Sequence, residues 1–143
     1  PGHGDRYQVK AIAAGECDSA LGKTFYIGQM LADPEQQPAA NAVTIVFPTF
    51  EGAGTHLNIS GIAMTKAAPN HDNALKFMEW LASDAAQRIY AETNFEFPVK
   101  PGVERSDLVK SWGEFTADPT PLSDIAAARP AALKIMETID FDG

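Results

Sequence analysis

The chain has 143 residues, enough for one domain with a buried core, and its 45% hydrophobic and 21% charged residues give the balance of a globular protein. A formal net charge of −8 and a pI near 4.7 exclude a surface for the phosphate backbone, which needs clustered Lys and Arg, so no nucleic-acid partner is expected. The single cysteine, Cys17, excludes an internal disulfide, and no run is long and apolar enough to span a membrane.

In chain order, Arg6 to Ala14 carries Val9, Ile12 and Ala13 at helical spacing, with Gly15 placed to end the helix in a left-handed turn. Cys17 to Leu21 reads as a short apolar strand in which Cys17 is a small buried hydrophobe, and Gly22 as a turn. Thr24 is suited to cap a helix to about Ala32, which Asp33-Pro34 closes, and Glu35 to Asn41 reads as a loop with helical turns. Val43 to Phe47 predicts a buried strand ended by Pro48. A flexible turn follows at Glu51 to Thr55, then a strand from Leu57 to Met64.

Asn70 is the expected N-cap of the clearest helix, with Leu75, Met78, Leu81 and Ala82 inward and Lys76 and Glu79 on the wet face. Ser83 caps a second helix to about Glu92, with Ala86, Ile89 and Tyr90 inward. Asn94 to Pro98 alternates like an edge segment, and Lys100-Pro101-Gly102 punctuates the chain. Leu108 to Asp118 reads as irregular, anchored by Trp112 and Phe115. Pro121 starts a helix to about Ala128, and Pro130 starts another carrying Leu133, Ile135, Met136 and Ile139. Alternating strands and helices argue an α/β architecture. The start at Pro1, without an initiating Met or a signal peptide, reads as a mature or cut product, the C-terminal part of something longer.

No nucleophile–base pair, phosphate loop or metal-spaced histidine set can be placed, so an enzyme is not expected. His3, His56 and His71 read as surface or capping groups, with His56 the one beside flexible glycines. Asp5, Glu16 and Asp18 flank the first strand as solvated ends. Tyr26, in Thr24-Phe25-Tyr26, lies just past an apolar strand at the mouth of a helix, where open α/β domains place ligand-contacting groups. Its phenol oxygen suits a hard cation such as ferric iron.

The run YQVKAIAAGECDSALGKTFYIGQML resembles the C-terminal half of periplasmic ferric-ion-binding proteins, the solute receptors of bacterial iron ABC transporters. The resemblance continues through IVFPTFEGAGTHLNISGIAMTKAAPNHDNALKFMEWLASDAAQRIYAE, NFEFPVKPGV and LVKSWGEF, from about Asp5 to about Asp140. It implies a type II periplasmic binding protein, two α/β lobes holding Fe(III), with a synergistic anion, in the cleft between them. On that plan residues 1–57 belong to the C-terminal lobe, 58–102 cross into the N-terminal lobe, and 103–143 return to the C-terminal lobe. The implied partners are an inner-membrane permease and the missing N-terminal part of the same receptor.

Family members commonly carry two adjacent tyrosines where this chain has Phe25-Tyr26. Tyr26 matches the second, an iron ligand; Phe25 replaces the first and has no oxygen to offer. Lys23 stands where some relatives have an anion-contacting asparagine, and its charge suits the same task. The departures leave two further readings: the same fold holding a small anion or organic acid, and a fragment without a complete site.

Overall fold

The computed structural model describes residues 4–50 and 52–140; His3, Glu51 and the chain's first residue, Pro1, lie outside the described residues. Seven helices occur among them: α1 (Asp5–Ala13), α2 (Thr24–Leu31), α3 (Gln37–Asn41), α4 (His71–Leu81), α5 (Asp84–Thr93), α6 (Asp107–Ser111) and α7 (Leu122–Thr138).

The first three helices pack on one another. Val9 of α1, Met30 of α2 and Ala40 of α3 form their core, flanked by Ile27, Leu31, Ala39 and Val43. Gly15 takes the expected left-handed conformation after α1, at φ 75°. The Gln37 amide, at the start of α3, donates to the Leu31 carbonyl at the end of α2 (3.1 Å), closing the α2–α3 corner. Thr24 proves to be the first helical residue and Lys23 the cap, with no side-chain capping bond.

A second helix pair, α4 and α5, also packs together. Asn70 is the N-cap of α4 but makes no side-chain capping bond. Ser83 caps α5 as expected, its hydroxyl accepting from the Ala86 N–H at 3.3 Å. Ala86 and Ala91 are fully buried, whereas Leu75 and Ile89, expected inward, stand exposed. On α4 the apolar stripe is covered in part: Met78 and Leu81 are half-buried, while Leu75 and Ala82 are exposed.

The expected strands do not form ladders. Among the described residues the only pairings are isolated bridges, Phe50 with Gly54 and Thr55 with Ala117. Segments 17–23, 43–49 and 57–64 are neither helical nor paired. Yet Val43, Ile45 and Phe47 are half-buried while Thr44 and Val46 face outward, the period-two alternation of a strand. A strand needs a neighbour for its backbone N–H and C=O groups, and no described segment supplies one. Cys17, expected buried, is half-exposed for the same reason.

Two further differences come from local signals. Residues 107–111, expected irregular, form α6, capped by the Ser106 hydroxyl, which accepts from the Val109 N–H. Pro121 caps a single helix, α7, with Pro130 inside it, where two helices were expected. Pro130 removes one backbone hydrogen bond, and every residue of α7 is exposed, so water can serve the freed carbonyl.

Phe47, Phe97 and Phe115 tie the middle and end of the chain together. Phe115 lies 4.7 Å from Phe47 and 5.4 Å from Phe97, ring centre to ring centre, the latter contact edge-on. Phe115 is thus the anchor expected of it, and Trp112 caps α6 half-buried beside it in sequence.

Candidate metal-binding site

Tyr26 sits in the first turn of α2, half-buried, with its backbone N–H bonded to the Lys23 carbonyl at 3.2 Å. Phe25 packs beside it at 4.2 Å between ring centres, tilted 32°. Phe25 therefore contributes a ring contact and no donor.

Two cations flank the Tyr26 ring. The Lys23 ammonium and the Arg6 guanidinium each lie 5.8 Å from the ring centre. Lys23 is fixed from both ends: its ammonium is 4.0 Å from the Asp5 carboxylate, and its backbone N–H donates to that same carboxylate at 3.2 Å. Asp5, expected as a solvated strand end, is thus the brace of the Lys23 turn. Arg6 donates to the neutral Gln29 side chain at 2.6 Å. No described carboxylate oxygen lies within ion-pair distance of Arg6. The sequence reading missed Arg6, because nothing local signals that position 6 of α1 meets position 26 of α2.

A cavity of about 120 Å³ opens between α1, the 20–23 turn, the start of α2 and residues 43–46, and Asp5, Lys23 and Tyr26 line it. A larger hollow of about 390 Å³ lies over residues 97–103. Its cations are engaged, Arg105 with Glu114 at 2.6 Å and Lys100 with Asp84 at 2.6 Å, and no tyrosine lines it. Of the two hollows, the smaller is the one lined by a tyrosine.

The donor set at Tyr26 is small. No group of three or more His, Cys, Asp or Glu able to hold a metal occurs among the described residues. His56 is exposed near Asp118, and His71 pairs with Asp72 at 3.5 Å, so neither joins Tyr26. Glu16 accepts from the Tyr7 hydroxyl at 3.5 Å, away from the phenol of interest. One phenol, two nearby cations and a braced turn thus meet beside this cavity.

Residues 4–117 match the family described as bacterial extracellular solute-binding protein. Iron uptake proteins A1 and A2 of Synechocystis are 43% and 39% identical over 138 and 145 residues, covering 95% and 99% of this chain. The chain spans only 38% and 42% of their lengths. The apo ferric ion-binding protein A of Pasteurella haemolytica superimposes with a TM-score of 0.96 at 48% identity, over all of this chain and 45% of that one. A Trichodesmium protein solved in complex with iron and citrate ligands gives 0.87 at 39% identity, over 97% and 45%. These likenesses make the described fold part of a type II periplasmic binding protein, as the sequence implied. The family match runs over most of the chain, and the structural likeness covers all of it: this chain belongs to the bacterial extracellular solute-binding protein family.

Proposed function

We propose that these residues form part of a receptor that holds ferric iron, with an accompanying anion, and delivers it to a membrane permease from the periplasm. The observation that carries the proposal is Tyr26: a half-buried phenol flanked by Lys23 and Arg6, in a chain 39% identical to a protein solved with iron and citrate. Ferric iron is a small, highly charged Lewis acid, so a phenol bound to it gives up its proton and serves as an anionic oxygen ligand. The Lys23 ammonium, and beside it the Arg6 guanidinium, supply positive charge for a carboxylate or carbonate on the same ion. Phe25 withholds the second phenolate, so the ion takes its other donors from outside this turn.

On this reading the site is completed by chain that these 143 residues do not include. Residues 1–57 and 103–143 belong to one lobe and 58–102 to the other, and the unpaired segments near 43–49 and 57–64 take their ladder partners there. Metal and anion bridge the lobes, so closure is favoured by contacts that exist only in the shut state. The protein acts by binding and release, without catalysis.

The test is the full-length protein loaded with iron and citrate. A phenolate-to-iron charge-transfer band in the visible is expected, and Tyr26→Phe should abolish or strongly weaken it while lowering affinity by about tenfold or more, roughly 1.4 kcal/mol. Lys23→Gln should weaken binding chiefly in the presence of the anion. Full-length protein with neither band nor iron affinity would refute the ferric reading. Metal analysis of that protein separates it from the second reading, a receptor for a small organic anion, which the two cations beside Tyr26 favour.

A further inference from the structure

Phe95 follows α5 at φ 60°, a left-handed conformation that residues with a Cβ seldom adopt. The position just past a helix C-terminus is one where glycine is usual. The turn is closed around it: the N–H groups of Asn94 and Glu96 both donate to the Tyr90 carbonyl, at 3.1 and 3.3 Å. A strained aromatic in a place suited to glycine persists only where its surroundings fix it.

What fixes it is α2. Gly28, buried in the middle of that helix, faces the Phe95 side chain so closely that a Cβ on Gly28 would lie 2.7 Å from Phe95 Cδ2 and nearer still to its Cβ and Cγ. Glycine inside a helix weakens it, so the absence of a side chain at 28 serves the approach of Phe95. Two residues along an α-helix is a rotation of about 200°. Phe95 therefore bears on α2 from the side opposite Tyr26. Among the helices α2 packs chiefly on α1 and α3, and Phe95 reaches it from the end of α5.

We propose that Phe95 is a positioning residue for the Tyr26 phenol, a strained aromatic stop at the end of α5 that fixes the depth and rotation of α2. On the lobe plan above this contact joins the two lobes on the side of α2 away from Tyr26, and it is the joint through which the α4–α5 pair sets where the phenol stands. The proposal rests on Tyr26 being a metal ligand, and the experiment separates the two. Phe95→Gly removes the ring and relieves the strained backbone; Phe95→Tyr keeps the ring.

In full-length protein given ferric citrate, Phe95→Gly should lower iron affinity by about tenfold or more, as changes behind a metal ligand do, and shift or weaken the visible band. Phe95→Tyr should keep both near wild type. Gly28→Ala should impair binding in the wild-type background and add no further loss on top of Phe95→Gly, because the clash partner is gone. Amide exchange across Thr24–Leu31 should quicken in iron-free Phe95→Gly. Wild-type affinity, band and α2 exchange in Phe95→Gly would overturn the proposal, as would strictly additive effects of the two substitutions. If Tyr26→Phe removes the band and Phe95→Gly changes nothing, only the positioning role fails. If Tyr26→Phe leaves the band intact while α2 exchange quickens in Phe95→Gly, the ligand reading fails, and the Phe95 contact stands as a stop for α2 alone.

Discussion

At the residue scale, Gly54 is constrained by backbone from far along the chain. It sits at φ 137°, and a Cβ there would lie 2.6 Å from the Thr116 carbonyl oxygen and 2.8 Å from the backbone of Ala117 and Asp118. The bare backbone lets Thr55 pair with the 116–118 segment: the Thr55 N–H donates to Thr116 at 2.8 Å, and the Asp118 N–H donates to Thr55 at 2.9 Å. Gly54→Ala is expected to cost about 1–3 kcal/mol in chemical denaturation of the full-length protein, since the atoms it meets are backbone and cannot swing away. Asp118 closes the same corner, accepting from the Thr120 N–H at 2.8 Å and its hydroxyl at 2.6 Å. These bonds to Thr120 hold its carboxyl below the ordinary value of 3.8. A carboxyl depressed in the folded state stabilises the fold above its unfolded value, and that contribution is lost as pH falls through the folded value. An NMR titration should therefore find Asp118 ionised below pH 3.8, and Thr120→Ala should move its midpoint back up. The turn that begins at Gly52 was legible in the sequence from its glycines; what Gly54 approaches was not, because Thr116 lies far along the chain.

At the scale of the element, the helices that announce themselves are those with a cap and a period long enough to read. α5 has both: Ser83 at the cap, and Ala86 and Tyr90 inward. Ser83→Ala should cost about 1 kcal/mol, the usual value of a lost N-cap bond, and fray the first turn in amide exchange. α6 has a cap in Ser106 but spans only five residues, too few for a hydrophobic period to show. No local pattern therefore marks it in the sequence, although Val109 is fully buried in it. α7 failed differently. Proline opening a helix is a strong local signal at both 121 and 130, and the structure runs one helix through the second. The clearest limit is at the strands. Val43 to Phe47 has the alternation of a strand and the half-burial pattern of one, yet no ladder, because pairing is a property of two segments and the sequence shows them one at a time.

At the scale of the whole molecule, the apolar surface is distributed unevenly. The buried core is small, while Leu21, Val46, Ile59, Ile62, Phe77, Trp80, Ile135 and Ile139 are all exposed. Phe77 and Trp80 stack on one face of α4 with ring centres 6.0 Å apart, and both are exposed. Residues 1–143 expressed alone should therefore self-associate and bind an apolar dye, and light scattering after size-exclusion chromatography is the check. A monodisperse, dye-silent monomer would count against the reading that other chain covers these faces.

The sequence by itself determined the helices α1, α2, α4 and α5, the α/β family and Tyr26 as the group to watch. Each rests on a signal contained within a short run: a period, a cap, a turn residue or an ordered set of matching segments. Tertiary structure alone decided that Arg6 joins Lys23 around the Tyr26 ring, that Phe95 is pressed against Gly28, and that the strand-like segments stand without partners. Those are meetings between residues distant in the chain, and their energies depend on approach distances of a few tenths of an ångström, which no local pattern encodes.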